Sequence, residues 1–283
     1  MNLYFRKINI RGRYPFVRLL QVRDNPKYLL HLVRKNLIHK RDPTDHTPQY
    51  NNFSFLSAQQ SLEELIKKNM SLARFSDGEF EQLTGGGEYP PDSDWCQKWS
   101  RSLQADLEKV LSSSDKRLLV AVDPPSTFLA QRDSLHNIRF EYNMWVDMKR
   151  MMWTYLIHGS KYGHSHLFVP QNAPDLDWNY LRNFLIQKDV IIATGNVTNI
   201  SHLTLGRRTF FIECGKVNAY ERKEKIKEDI LHLLKAENLK NPDVLVLASL
   251  GPTAAILAYE FLNRGINIWD TGHMFKYASQ ELL

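Results

Sequence analysis

The sequence predicts an α/β fold, a doubly wound and mainly parallel sheet preceded by a basic N-terminal helical arm. Three observations predict it. From residue 56 onward, apolar runs of four to six residues alternate with amphipathic stretches, the pattern of strands buried on both faces with helices between them. A chain of 283 residues with 43% hydrophobic content is long enough to bury such a core. The charge is also split: residues 1–41 carry eleven Lys and Arg against Asp24 alone, a surplus of +10, which leaves the rest of the chain at −4. The body is therefore not a general polyanion binder. No internal repeat or low-complexity tract interrupts it.

In the arm, Leu29, Leu30, Val33, Leu37 and Ile38 fall at near-helical spacing among Arg34, Lys35, Lys40 and Arg41, with Tyr4, Phe5, Tyr14 and Phe16 upstream. That pattern suits a helix on an anionic membrane surface, and equally one docked on the body with its basic face solvated. Residues 42–55, rich in Pro, Asn, Thr and Asp, read as a linker, so the chain divides into an arm and linker (1–55) and a domain (56–283). In the domain, Leu62, Leu65 and Ile66 mark a helix ending near Asn69, followed by a strand at Ser71–Phe75. A helix near Trp95–Leu111 and a strand at Arg117–Val122 follow, the strand stopped by Asp123-Pro124-Pro125. A helix is predicted over Phe140–Ile157 and a short strand at Leu167–Val169. Trp178–Gln187 reads as helix, Val190–Thr194 as a buried strand, and Thr209–Cys214 as a strand before a charged helix from about Tyr220 to Leu234. Val244–Ala248 (strand), Thr253–Leu262 (helix) and Ile266–Trp269 (strand) complete the pattern.

Several chemistries are poorly served by these residues. Cys96 and Cys214 lie far apart with no CxxC spacing, so neither a zinc cluster nor a disulfide framework is supported. His164 and His166 lack the third ligand a zinc site needs. No run approaches the roughly 18–20 apolar residues of a membrane span, and the N-terminus lacks a signal-peptide core, so a cytoplasmic protein is expected. There is no Walker loop and no GxGxxG after a strand. Gly85-Gly86-Gly87 reads as a flexible loop.

In doubly wound sheets ligands sit beyond the carboxyl ends of the strands, so each loop after a strand is a candidate wall of the site. After Ser71–Phe75 come Asp77-Gly78-Glu79. In a β-like segment, residues two apart point the same way, so Asp77 and Glu79 can converge on one hard cation, with Gly78 leaving room for a ligand. Ser249-Leu250-Gly251-Pro252-Thr253 combines close backbone approach at Gly251, a proline suited to the first helical turn, and the Thr253 hydroxyl beside unpaired backbone donors, which suits a phosphate. Asn196 and Asn199 follow one strand and Lys216 and Asn218 the next; Lys216 can neutralise phosphate charge and the asparagines can meet hydroxyls or a base edge, although turn roles suit them too. Asp270-Thr271-Gly272-His273 closes the last strand, with His273 suited to proton transfer, phosphate donation or a structural role.

The stretches RFSDGEF (Arg74–Phe80) and LGPTAAILAYEFLNRGINIWDTGH (Leu250–His273), with the strand-and-loop pattern between them, resemble the GT-D-type glycosyltransferases over roughly residues 56–275. The resemblance implies a Rossmann-like fold, an Asp-x-Glu metal motif at Asp77 and Glu79 with Arg74 just before it, and a nucleotide-sugar donor. It carries the family's Gly-Pro-Thr turn to Gly251, Pro252 and Thr253 and its Asp-x-Gly-His ending to Asp270, Gly272 and His273; Asn218-Ala219 resembles its loop after the strand ending at Cys214. The chain departs from the family at Gly195–Asn199 and at Met274–Tyr277, which leaves acceptor and donor sugar open. The implied activity is transfer from a nucleotide sugar, such as UDP-glucose, to a glycan, glycoprotein or lipid-linked acceptor. Mn²⁺ or Mg²⁺ at Asp77 and Glu79 would neutralise the departing diphosphate, with Arg74, Lys216 and His273 as phosphate contacts and Asp270 or His273 as acceptor base. A metal-dependent nucleotide-sugar hydrolase, and a noncatalytic membrane- or nucleic-acid-binding protein, are the alternatives. On the transferase reading, the basic arm would hold the enzyme at the inner face of the plasma membrane, near lipid-linked acceptors.

Overall fold

The apolar runs become strands because β-branched and leucine-rich segments of this length can bury both faces of a parallel ladder. The computed structural model describes residues 53–85, 97–122 and 154–282. The strands are β1 (Ser54–Phe55), β2 (Ser71–Phe75), β3 (Leu118–Val122), β4 (Lys161–Tyr162), β5 (Asp189–Thr194), β6 (Arg208–Glu213), β7 (Val244–Ser249) and β8 (Ile268–Asp270). The helices are α1 (Ala58–Lys67), α2 (Asp77–Leu83), α3 (Arg101–Leu111), α4 (Trp178–Leu185), α5 (Lys223–Ala236), α6 (Pro252–Glu260) and α7 (Ala278–Glu281). The basic arm, Gly86, Gly87, Cys96, Asp123–Pro125 and most of the helix predicted over Phe140–Ile157 lie outside the described residues.

Six strands form one wholly parallel sheet in the order β3-β2-β8-β7-β5-β6. Gly163 bridges to Ala121 on β3, and β4 just before it pairs with β1. Successive strand residues enter opposite cores: Ile191, Ala193, Val246 and Ala248 pack with α3, α5 and α6, whereas Val190, Ile192, Leu245 and Leu247 pack with α1 and α4. That alternation, with both faces covered, makes the sheet doubly wound. Trp269 of β8 is buried, stacks on Phe184 at 5.5 Å and Phe168 at 6.3 Å, and donates its indole N–H to the Met70 carbonyl at 2.9 Å.

One predicted strand is corrected. Leu167–Val169 is a run of turns closed by bonds such as Leu167 N–H to His164 O (3.2 Å) and Val169 N–H to His166 O (3.0 Å). Its side chains are buried as a strand's would be, but locally bonded turns satisfy the backbone, so an apolar run of three carries no strand information.

At the amino edge of the sheet, Arg207 and Arg208 from the start of β6 both grip Asp189 at the start of β5, with closest contacts of 2.8 Å. These two bidentate pairs hold the Asp189 carboxyl well below the usual carboxylate range. A depressed carboxylate stabilises the fold above the unfolded value near pH 4, and that stability is lost as pH falls toward the folded value. Asp189→Asn is expected to cost about 1–3 kcal/mol at pH 7 and visibly less at pH 3; urea melts at the two pH values check it, and an equal loss at both would contradict it.

Candidate functional site

The topology decides which loops meet. Because β8 lies between β2 and β7, the loops after β2, β8 and β7 are neighbours on the carboxyl edge. The starts of α2 and α6 stand two strand spacings apart, about 10 Å, with the β8 loop between them.

The first start corrects an expectation. Asp77 and Glu79 do not continue a strand: β2 ends at Phe75, and Asp77 opens α2. On a helix, residues two apart diverge around the axis, so the shared direction expected of a β-like segment is lost. The reason is local. Ser76 is an N-cap residue, and Glu79, three residues on, accepts the Ser76 N–H through Oε2 at 2.9 Å, half of a capping box. Glu79 is buried by this contact, at 6% exposure. Gly78 is half-buried, and among the described residues, chain neighbours aside, a Cβ there would meet nothing within 4 Å.

The second start follows β7. Gly251 adopts φ +56 and ψ −143, a conformation that strains other residues, and among the described residues nothing but its chain neighbours lies within 4 Å of where a Cβ would stand. Pro252 takes the first helical position, and Thr253 is fully buried with no hydrogen-bond partner for Oγ1 among the described residues. A helix start presents unpaired backbone N–H groups and a positive dipole end, the usual seat of a phosphate.

Between them, Asp270 ends β8 at 1% exposure, bonded to Arg74 and to the Gly272 N–H. Burial pushes its carboxyl up, against the pull of the Arg74 guanidinium and two backbone N–H groups. Enclosed in this way, Asp270 is poorly placed as a base for an incoming acceptor. Arg74 is buried too, and its side chain is taken up by Asp270 and the Ser165 carbonyl, not turned toward a phosphate. His273 is exposed at the head of a short 3-10 turn, Met274–Lys276.

The remaining candidates line the adjoining β5 and β6 ends. Gly195 packs so closely on the next loop that a Cβ would lie 3.0 Å from the Gly215 carbonyl and 3.1 Å from the Lys216 Cα. Asn196 is half-buried, while Asn199 and Lys216 are exposed. Asn218, at φ +52, accepts the Lys98 N–H at 2.8 Å, and so serves partly as a brace for the segment before α3. Cys214 is buried, its thiol pushed up to about 12 by that burial, which removes it as a nucleophile.

Sequence reasoning missed the roles of Ser165, Ser249 and Thr271. Ser249 Oγ donates to the Gly272 carbonyl at 2.6 Å, and Thr271 Oγ1 to the Ala248 carbonyl at 3.1 Å. One signal was available: Arg74 sits inside an apolar strand, and a charge buried there requires a buried counter-charge, which a strand-end aspartate supplies.

The α2 start carries Asp77 and the partly committed Glu79, and among the described residues no three of His, Cys, Asp and Glu gather in one place. This set fits a hard cation that takes one or two carboxylates and completes its shell with diphosphate oxygens and water.

Known proteins are similar to this chain in sequence and fold. The chain is 26% identical over 268 residues to the probable glycosyl transferase Gly of Streptococcus gordonii, covering 89% of this chain and 35% of that protein. It is 24% identical over 231 residues to the glycosyltransferase GlyD of Streptococcus pneumoniae serotype 4 (strain ATCC BAA-334 / TIGR4), covering 76% and 26%. It thus spans about a third or less of the length of these relatives. Among solved structures, a glycosyltransferase (DUF1792) from Streptococcus sanguinis superposes with TM-score 0.65 at 26% identity, over 80% of this chain and 85% of that one. A domain described as having a distinct glycosyltransferase fold superposes at 0.61 with 20% identity, over 82% and 83%, and shows the fold alone. The family model for the glycosyltransferase GT-D fold matches residues 72–278, and the chain belongs to the GT-D glycosyltransferase family.

Proposed function

We propose that this chain transfers a sugar from a nucleotide-diphosphate donor, UDP-glucose being the probe of choice, to a glycan, glycoprotein or lipid-linked acceptor. The observation that carries this reading is the open helix start at Gly251-Pro252-Thr253, one strand away from the β8 loop and two from the α2 start that bears Asp77 and Glu79. Asp77 would hold a divalent cation, Mn²⁺ or Mg²⁺, with Glu79 fixing the turn on which Asp77 stands. Such a cation, when bound, neutralises diphosphate charge as the glycosidic bond breaks. The backbone donors of α6 and the Thr253 hydroxyl act on the same phosphates, and Gly251 lets them approach. Lys216 and His273 add charge or donors at the rim, and Asn196, Asn199 and Asn218 lie where the nucleoside or sugar hydroxyls would reach. His273, exposed where Asp270 is not, is the candidate to take the acceptor's proton.

UDP-glucose turnover with and without a lipid-linked acceptor tests the reading. Turnover is expected to stop with a chelator, return with Mn²⁺ or Mg²⁺, and rise with acceptor. Release of free glucose at one rate regardless of acceptor would instead make the chain a hydrolase, and no metal-dependent UDP binding would leave a noncatalytic binding protein.

No helix among the described residues is long and apolar enough to cross a membrane. The basic residues 1–41 support a cytoplasmic enzyme held at an anionic membrane surface, each Lys or Arg near such a surface contributing about 1 kcal/mol. Deleting residues 1–41 is expected to abolish sedimentation with anionic liposomes while sparing UDP-glucose turnover; retained sedimentation would remove the anchoring role.

A further inference from the structure

Arg74 and Asp270 are both buried, and between them they tie three chain segments together. Asp270 Oδ1 accepts the Arg74 Nε–H at 3.4 Å and the Gly272 N–H at 3.1 Å, and Oδ2 accepts the Arg74 backbone N–H at 3.4 Å. Arg74 Nη1 donates to the Ser165 carbonyl. Gly272, at φ +50, lies flat against the guanidinium: a Cβ there would fall 1.9 Å from Arg74 Nη2. On the other flank, Thr271 donates its N–H and Oγ1–H to the Ala248 carbonyl at 2.8 and 3.1 Å, and Ser249 Oγ donates to the Gly272 carbonyl. Residues 270–272 are thus fastened to β2 on one side and to β7 on the other.

A buried ion pair gains little net stability, because desolvation offsets its Coulomb attraction, and apolar residues of similar volume hold a fold as well. What the pair has and apolar residues lack is direction: the Arg74 guanidinium donates through Nε to Asp270 and through Nη1 to the Ser165 carbonyl, which orients the end of β2 against both. We infer that Arg74 and Asp270 are positioning residues, which act through the β2 and β8 loops to set the α2 start and His273 at one fixed separation. Their kinetic effect rests on the transferase reading given above; their mechanical effect does not.

The test uses the 283-residue chain, Arg74→Lys, and the double variant Arg74→Met/Asp270→Asn, which removes both charges and keeps a carbonyl acceptor for one of the two backbone N–H groups that Asp270 binds. By amide hydrogen exchange, Arg74→Lys is expected to speed residues 76–78 and 271–273 together by about tenfold or more, while β5 and β6 amides keep their protection. The double variant is expected to stay folded with a lowered melting temperature, because one backbone N–H and the Ser165 carbonyl lose their partners, yet to lose about 100-fold in kcat for UDP-glucose, with KM little changed. Unchanged exchange in either loop, or full kcat in the double variant, overturns the proposal. A wild-type chain that does not turn over UDP-glucose counts against the transferase reading, and the exchange result then judges the pair alone.

Discussion

Asp77→Asn is expected to lose metal-dependent UDP binding and to lower UDP-glucose turnover by about 100- to 1,000-fold, a loss comparable to removing a principal stabiliser of transition-state charge. The asparagine carbonyl is a weaker ligand for a hard cation and carries no charge to balance it. The fold has little at stake: an acidic residue in the first helical turn contributes about 0.3–1 kcal/mol through the helix dipole, so the melting temperature should move by only a few degrees. Glu79→Gln separates the two carboxylates. Glutamine keeps a carbonyl to accept the Ser76 N–H, so the cap survives. A Glu79 that only fixes the turn predicts a drop of about tenfold or less, whereas a direct ligand predicts the full loss. Unchanged turnover in Asp77→Asn would end its assignment to the metal.

The second large effect is at the other helix start. Gly251→Ala places a methyl group where, chain neighbours aside, no atom of the described residues lies within 4 Å, so the cost to the fold is backbone strain, about 1–3 kcal/mol. The same methyl stands in the approach to the α6 donors, and UDP affinity is expected to fall by about tenfold or more. Thr253→Val is the companion change. The Thr253 hydroxyl is buried and unpartnered among the described residues, so its removal should leave the ligand-free protein as stable or slightly more so. If the hydroxyl meets a phosphate, UDP binding weakens nonetheless. Calorimetry and urea melts on both variants separate these effects; a Thr253→Val chain that binds UDP like wild type would remove the hydroxyl from the site.

Much of this molecule was legible in its sequence because strand signals are periodic and local. The strand expected at Ser71–Phe75 is β2 at both ends, since serine and the Ser76-Asp77 step punctuate it, and the buried runs at Val190 and Val244 have the apolar continuity of central strands. The post-strand rule then put the Gly251 turn and the Asp77 turn on one edge, which the strand order bears out. What was not legible was tertiary. Nothing local tells that β8 pairs between β2 and β7, so the Arg74–Asp270 partnership, 196 residues apart in sequence, is hidden there, and Arg74 reads as a phosphate contact and Asp270 as a candidate base. Leu167–Val169 misled for the opposite reason, since burial of three apolar side chains does not require a ladder. The Asp77-Gly78-Glu79 triplet reads as a β-like turn after its strand; the Ser76 and Glu79 spacing that caps a helix is the signal to the contrary.

The central claim is that a cation held at Asp77 and the α6 start grip one diphosphate between them. A crystal of the protein grown with UDP and Mn²⁺, measured at a wavelength where manganese scatters anomalously, tests it most directly. The account predicts one anomalous peak within coordination distance of an Asp77 carboxylate oxygen and beside UDP phosphate oxygens that also accept from the backbone N–H groups of Gly251 or Thr253. Manganese and UDP bound away from the β2 and β7 loops, or UDP seated at α6 with Asp77 turned away from the metal, would contradict it.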